Sequence, residues 1–321
     1  VSAAPDLTTY LDDLRRLVDD ALTRALPEAT APPVVIDAMR YALAGGGKRL
    51  RPCLTLAVAD ALADRARLTI AEARRFALPL ACAAEMIHTY SLVHDDLPAM
   101  DNDTMRRGRP TTHVVYGDGM AVLVGDGLLT EAFAVVTETP SRILPPGTPD
   151  LPAERRLRAA RILADAAGAV GMVGGQAIDL VAAGRVIGTN AEPAELDARA
   201  LEDMHARKTG ALIRAAAGLG AIAVGADRAA VAAIDDYARE VGLAFQIVDD
   251  MLDVEGSPAA LGKTAGKDAA AGKPTYPALF GLDSSRRMAA DCVSRAALAL
   301  ERADIGGRLA EIARWSLGRR S

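Results

Sequence analysis

A chain of 321 residues, half of them apolar but only 3% aromatic, has ample material for a large core built from alanine and leucine rather than from rings. Acidic side chains outnumber basic ones by 42 to 37, and the net charge of −5 argues against a nucleic-acid partner. No unbroken apolar run reaches the roughly 18 residues that cross a bilayer, the longest candidate being the glycine-rich Ala215–Ala226, so the chain is not expected to span a membrane.

The periodicity is helical throughout. Leu11, Leu14, Val18 and Leu22 recur at three- and four-residue spacing, which predicts an amphipathic helix over Leu7–Leu26. A second helix is expected over Val34–Ala44, stopped by Gly45-Gly46-Gly47, and a third with Pro52 in its first turn. Long apolar helices follow over Ala71–Asp96 and Asp118–Glu138. Pro140–Pro152 is crowded with prolines and reads as a surface loop. Ala153–Ala183 reads as one helix, bent near Gly171, Gly174 and Gly175. Further helices are expected at Ala194–Ala206, Thr209–Val224, Asp227–Val254, Ser284–Ala303 and Gly307–Leu317, with a polar, lysine-bearing loop over Gly256–Gly272. No strand pattern, short repeat or separating linker is evident, so the expectation is one all-α domain over residues 1–321. Cys53, Cys82 and Cys292 have no paired or metal-binding spacing and sit among alanines and leucines. They read as buried thiols in a reducing compartment. With no basic-then-apolar leader at the start, a cytoplasmic location is expected.

Two acidic clusters carry the chemistry. In Asp249-Asp250-Met251-Leu252-Asp253 the outer aspartates are four apart, which puts them about 40° from one another on one helix face. Carboxylates that close repel unless a cation sits between them. Asp95-Asp96-Leu97-Pro98-Ala99-Met100-Asp101 ends another apolar helix; Pro98 must break it, and a kink there turns Asp101 back toward Asp95. Either cluster alone is compatible with a solvated helix end. Two of them, each closing an apolar helix, would form an oxygen-rich cage if the helices face each other, of the kind that holds Mg²⁺ on substrate phosphates. Cations stand beside both: Gly45-Gly46-Gly47-Lys48-Arg49-Leu50-Arg51, Arg106-Arg107, Lys208-Thr209 at an expected helix start, and Lys263, Lys267 and Lys273. The glycine run is not a nucleotide-binding P-loop, because Arg rather than Ser or Thr follows Lys48 and no strand precedes it.

The stretch from Glu85 through His88, Asp95 and Asp96 to Asp101 resembles the first aspartate-rich region of trans-isoprenyl diphosphate synthases. The resemblance continues through Arg106-Arg107-Gly108-Arg109-Pro110-Thr111, Val124-Gly125-Asp126, Gly174-Gly175-Gln176, Lys208-Thr209 and Phe245–Asp253. It ends at Gly262-Lys263 and Gly272–Pro277, covering about Ala42 to Gly281. The four residues between Asp96 and Asp101 are most like bacterial farnesyl diphosphate synthases. The resemblance implies an isoprenoid-synthase-type helical bundle around a deep central cavity, usually a homodimer. It implies that Asp95, Asp101 and Asp249 hold three Mg²⁺ ions (Mn²⁺ being a substitute) on an allylic diphosphate, supported by Asp96, Asp250 and Asp253. Arg106, Lys208, Lys263 and Lys273 would bind that diphosphate. Lys48, Arg51, His88 and Arg107 would bind isopentenyl diphosphate, while Thr209 and Gln246 would flank the allylic carbons. His94 is expected to be structural.

Tyr90 lies five residues before Asp95, about 7.5 Å along a helix axis, and Ser91 lies four before. In the resembling enzymes this place sets product length, and a ring there favours fifteen carbons, with ten or twenty as alternatives. A terpene cyclase fits less well, because the second cluster has the chain-elongation form and Lys48, Arg51 and Arg107 supply a second diphosphate site. A non-catalytic partner subunit is a further alternative, disfavoured by two intact clusters.

Overall fold

In a computed structural model the described residues are 6–27, 30–186, 196–255 and 275–318. Among them the fold is all-α, with a single two-stranded ribbon. The chain divides into two compact units, Val1–Arg161 with Ala216–Asp227, and Ile162–Ala215 with Arg228–Ser321.

In the first unit, α1 (Leu7–Arg24) opens on Asp6, whose carboxylate accepts the Thr9 N–H at 2.8 Å, and buries the predicted Leu11, Leu14, Val18, Leu22 face. Helix α2 is Pro33–Leu43 and α3 is Leu50–Leu62. Helix α4 (Ile70–Asp95) starts in a capping box between Thr69 and Glu72. Its centre, Ala81, Ala83, Ala84, Met86 and Ile87, is wholly buried. Small side chains let backbones approach: a Cβ at Gly220 would lie 2.2 Å from the Thr55 carbonyl oxygen, and Thr55 Oγ1 donates to Ala216 O at 2.8 Å. The ribbon β1 (Met105–Arg106) and β2 (Arg109–Pro110) and the short α5 (Thr112–Tyr116) precede α6 (Asp118–Thr137). Neither ribbon nor α5 was expected. The Pro140–Pro152 loop is tied by Asp150, which accepts from Ser141 N–H at 2.9 Å and from Thr139 Oγ1 at 2.5 Å.

By length and composition, α4 and α6 are long and apolar enough to cross a membrane, contrary to the reading from unbroken runs. In α4, 78% of the apolar window is buried inside the protein, as in a core helix; in α6 the share is 39%.

The segment expected as one bent helix is two, α7 (Ala153–Ala167) and α8 (Met172–Ala182). They part where a Cβ on Gly171 would come within 2.2 Å of Ala166 O. In the second unit α9 (Ala198–His205) runs through a π turn, Ala206–Gly210, into α10 (Ala211–Val224), which belongs to the first unit from Ala216 onward. Helix α11 (Arg228–Glu255) buries Ile234, Tyr237, Val241 and Ile247. Helices Tyr276–Phe280, Leu282–Arg302 and Leu309–Leu317 complete the unit, and Tyr237 donates its hydroxyl to Leu309 O at 2.8 Å. All three cysteines are buried and unbridged, as expected.

Candidate active site

The two aspartate clusters belong to different units. In the first unit α4 ends at Asp95 and the chain folds back through Pro98. Asp101 N–H donates to Asp95 O at 2.8 Å, and Asp103 N–H to Asp96 O at 3.1 Å. The expected return of Asp101 toward Asp95 is thus a set of backbone hydrogen bonds, completed by Asn102 at φ +52°. Asp95 and Asp101 are half-buried, whereas Asp96 is only 4% exposed. Arg106 grips Asp96 as a fork, Nε to both oxygens at 2.8 and 2.9 Å and Nη2 to Oδ1 at 2.6 Å. Burial pushes the Asp96 carboxyl up against the pull of Arg106. Asp96 therefore fixes Arg106 beside the aspartate turn.

Arg106-Arg107-Gly108-Arg109 is the hairpin itself. Arg107 and Gly108 form its two-residue turn at φ +52° and +74°. Arg107 reaches back to Gly46 O, and a Cβ on Gly47 would strike its guanidinium at 2.2 Å. The glycine run does admit a close approach, and what approaches is Arg107. Arg109 lies over the Tyr41 ring at 4.4 Å and donates to Ala44 O at 2.8 Å, docking the hairpin on the end of α2. A cavity of about 50 Å³ opens among Tyr41, Thr89, Asp96, Arg106, Arg107 and Arg109.

Of the cations after the glycines, Arg49 has a role the sequence did not disclose. Held at φ +49° before α3, it is 7% exposed. It donates to Glu85 Oε1 at 2.7 Å, to Asp19 Oδ1 at 2.9 Å and to Leu43 O at 2.7 Å. Lys48 and Arg51 flank this clamp in sequence, and Glu85 precedes His88 by one turn of α4. Burial, then the charges of Arg51, Arg107, Arg106 and Arg49, hold the His88 imidazole well below its usual range. The structure therefore brings His88, Arg51 and Arg107 into one electropositive neighbourhood. Ser91 donates to His88 O at 2.8 Å. Tyr90 is 7% exposed, meets the His94 ring edge-on at 5.8 Å, and has its phenol pushed up to about 12 by burial and Asp95. His94 is structural as expected: its Nε2 lies 3.1 Å from Val122 O and fills the space where a Gly125 Cβ would sit.

In the second unit Asp249, Asp250 and Asp253 close α11 in regular helix, so Asp249 and Asp253 share a face. Asp250 is 3% exposed; its Oδ1 accepts from Gln246 Nε2 at 2.8 Å and its Oδ2 from Tyr276 N–H at 3.0 Å. Lys208 and Thr209 do not open a helix, as had been expected. They occupy the π turn, where the preceding helix already satisfies the amides, so no helix N-terminus is available there. Lys208 Nζ lies 2.6 Å from Asp179 Oδ2. A Cβ on Gly175 would meet the Lys208 backbone N at 2.3 Å, so the Gly-Gly-Gln motif seats α8 against the turn. Gly242, one helical turn before Gln246, lies against Gly210, which puts Gln246 on the face of α11 that meets the π turn. Lys263, Lys267 and Lys273 lie outside the described residues.

Among the described residues no three Asp, Glu, His or Cys side chains converge as a metal site on their own. The candidate donors Asp95, Asp101 and Asp249 offer only hard carboxylate oxygens. Such donors fit Mg²⁺, which commonly takes one or two carboxylates and completes its shell from water and substrate phosphate. No role was read in sequence for Asp179, His205, Tyr276 or the Arg49–Glu85 pair, although Arg49, Glu85 and Tyr276 stand inside the motifs quoted above. Asp179 lies one turn beyond Gly175 on the same helix face.

The polyprenyl synthetase family model matches residues 32–303. The chain belongs to this family of trans-isoprenyl diphosphate synthases. It is 42% identical to a farnesyl diphosphate synthase of Geobacillus stearothermophilus over 93% of this chain and 92% of the relative. It is 39% identical to a geranylgeranyl diphosphate synthase of Cyanophora paradoxa over 88% and 86%. Among solved structures, an FPP/GFPP synthase from Zymomonas mobilis superposes with TM-score 0.77 at 36% identity, covering 98% of this chain and 97% of that one. A geranyltransferase from Helicobacter pylori, complexed with magnesium and isoprenyl diphosphate, gives 0.80 at 29% identity over 99% and 97%. These likenesses run through both units of this polyprenyl synthetase.

Proposed function

We propose that this family member is a magnesium-dependent trans-prenyltransferase that couples an allylic diphosphate to isopentenyl diphosphate and makes chiefly farnesyl diphosphate. The observation that carries the reading is the electropositive neighbourhood of His88, Arg51 and Arg107 beside the Asp95–Asp101 turn. It supplies anion-binding groups next to carboxylates, the pairing that two diphosphate substrates and a cation demand.

Each residue has a part in this reading. Arg106, steered by Asp96, and Lys208, steered by Asp179, bind the allylic diphosphate together with Lys263 and Lys273. Lys48, Arg51, His88 and Arg107 bind the second diphosphate. A His88 imidazole kept neutral adds a hydrogen bond without adding charge. Asp95, Asp101 and Asp249, with Asp253 in support, would hold Mg²⁺, which when bound would supply positive charge to a leaving diphosphate. The allylic C–O bond ionises, the double bond of isopentenyl diphosphate attacks the allylic carbon, and a proton leaves to the released diphosphate. Thr209 and Gln246 lie by the allylic cation. Tyr90 closes the path of the growing tail, with Ser91 beside it, which favours the fifteen-carbon product over the twenty-carbon one. The exposed Val114, Val115, Val122 and Leu123 support an apolar face for a second copy of the chain. The chain, residues 1–321, is one polyprenyl synthetase domain, in the cytoplasm.

The test is consumption of isopentenyl diphosphate by the purified chain. Turnover that needs both an allylic diphosphate and Mg²⁺, and that stops with a chelator, is expected. A folded chain that consumes none under any pairing would be a non-catalytic partner subunit instead.

A further inference from the structure

Asp250 neighbours a proposed metal ligand, yet both its oxygens are engaged by protein donors. Oδ1 accepts from Gln246 Nε2 at 2.8 Å and Oδ2 from Tyr276 N–H at 3.0 Å. His205 walls the carboxylate on another side, with Nε2 at 3.6 Å from Oδ2 and its ring stacked on Tyr276 at 5.9 Å between centroids. Asp250, His205 and Tyr276 are 3%, 8% and 2% exposed. A carboxylate is an acceptor only, so it holds the Gln246 amide by its NH₂ end. The opposite end of that planar group is then the carbonyl oxygen, the negative end of the amide dipole.

We infer that Asp250 is a positioning residue, braced by His205 and Tyr276, that fixes the orientation of the Gln246 amide so that its carbonyl oxygen faces the allylic cation. The inference rests on the proposed place of Gln246 beside the allylic carbons. Asp250→Asn is isosteric but chemically decisive. Tyr276 N–H still requires an acceptor, so the Asn oxygen turns to it and the Asn NH₂ turns to Gln246. Gln246 then flips to accept that hydrogen bond and presents its own NH₂, the positive end of its dipole, to the cation.

The experiment is steady-state prenyl transfer with geranyl and isopentenyl diphosphates for wild type, Asp250→Asn, Gln246→Leu and the double variant, each with a Mg²⁺ titration. Asp250→Asn is expected to lower kcat about 10- to 100-fold, because the cation then faces the positive rather than the negative end of the amide dipole, an effect about as large as one charge-assisted hydrogen bond. The KM of both substrates and the Mg²⁺ half-saturation should stay unchanged. In the Gln246→Leu background the same change should do almost nothing, because its effect passes through Gln246. A shifted Mg²⁺ half-saturation, or fully additive losses, would assign Asp250 to the metal or to folding and overturn the inference. If Asp250→Asn does not fold, His205→Phe, which keeps the stacked ring and removes the polar nitrogen 3.6 Å from Oδ2, should lower kcat several-fold, again only when Gln246 is present; an equal loss in both backgrounds refutes it. A wild type without prenyl transfer would defeat the functional reading itself, an outcome distinct from these.

Discussion

Glu85→Gln isolates the clamp under the second diphosphate site. The Arg49 side chain is 6% exposed and Glu85 is 2% exposed, with 2.7 Å between Nη1 and Oε1. Removing one partner of a buried pair costs about 3–5 kcal/mol, because the other charge stays buried without compensation. Here the substituted amide keeps an oxygen, and Arg49 keeps Asp19 and Leu43 O, so the low end, about 3 kcal/mol, applies. For 321 residues, at about 2.1 cal/mol/K of unfolding entropy per residue, that is a Tm loss of about 4–5 °C. Asp19 is the internal control, since its side chain is 54% exposed and Asp19→Asn should cost no more than about 1 kcal/mol. The functional prediction is a raised KM for isopentenyl diphosphate with the allylic KM unchanged, since the clamp sits between Lys48 and Arg51 and one turn before His88. Thermal unfolding and two-substrate kinetics on both variants test it. Equal Tm losses for the two variants, or a rise in the allylic KM alone, would refute the reasoning.

Three further predictions follow from the same geometry. Tyr90→Ala opens the proposed floor and should shift products toward twenty carbons or more, read as chain length after dephosphorylation; an unchanged product places the floor elsewhere. His88 carries a folded-state pKa held below 6.5, so the unfolded chain binds the proton first and stability falls as pH drops through about 6.5 toward the depressed value. His88→Gln should flatten that dependence in urea unfolding followed with pH, and an unaltered slope would show that other groups carry it. Gly175→Ala places a methyl 2.3 Å from the Lys208 backbone N, so α8 or the π turn must shift. A loss of about 1–3 kcal/mol in stability, with weaker allylic diphosphate binding, is expected.

The helices and the two clusters were legible because both rest on local pattern. The 3.6-residue spacing of α1 and the apolar stretches that lead into the acidic clusters of α4 and α11 are written within a few turns. The return of Asp101 to Asp95 was legible for the same reason, since Pro98 leaves the helix no way onward. What escaped was decided by partners distant in sequence. Arg49 reads as one more cation until Glu85, 36 residues away, takes it out of solvent. The π turn under Lys208 is packed against Gly175 and Gly242 of two other helices, neighbours that its own sequence does not name. Asp250 reads as a support of the metal cage until Gln246 Nε2 and Tyr276 N–H take its two oxygens. The hairpin at Arg107-Gly108 was missed for another reason: two-residue strands leave no periodicity to detect, although the glycine marked the turn.

The central claim is tested most directly by product length. The purified chain would be given Mg²⁺, isopentenyl diphosphate and, in turn, dimethylallyl or geranyl diphosphate, with the dephosphorylated products read by mass spectrometry. A dominant fifteen-carbon alcohol is expected from both starters. A twenty-carbon product would preserve the coupling and contradict the Tyr90 floor, and no elongated product from a folded chain would contradict the proposed function altogether.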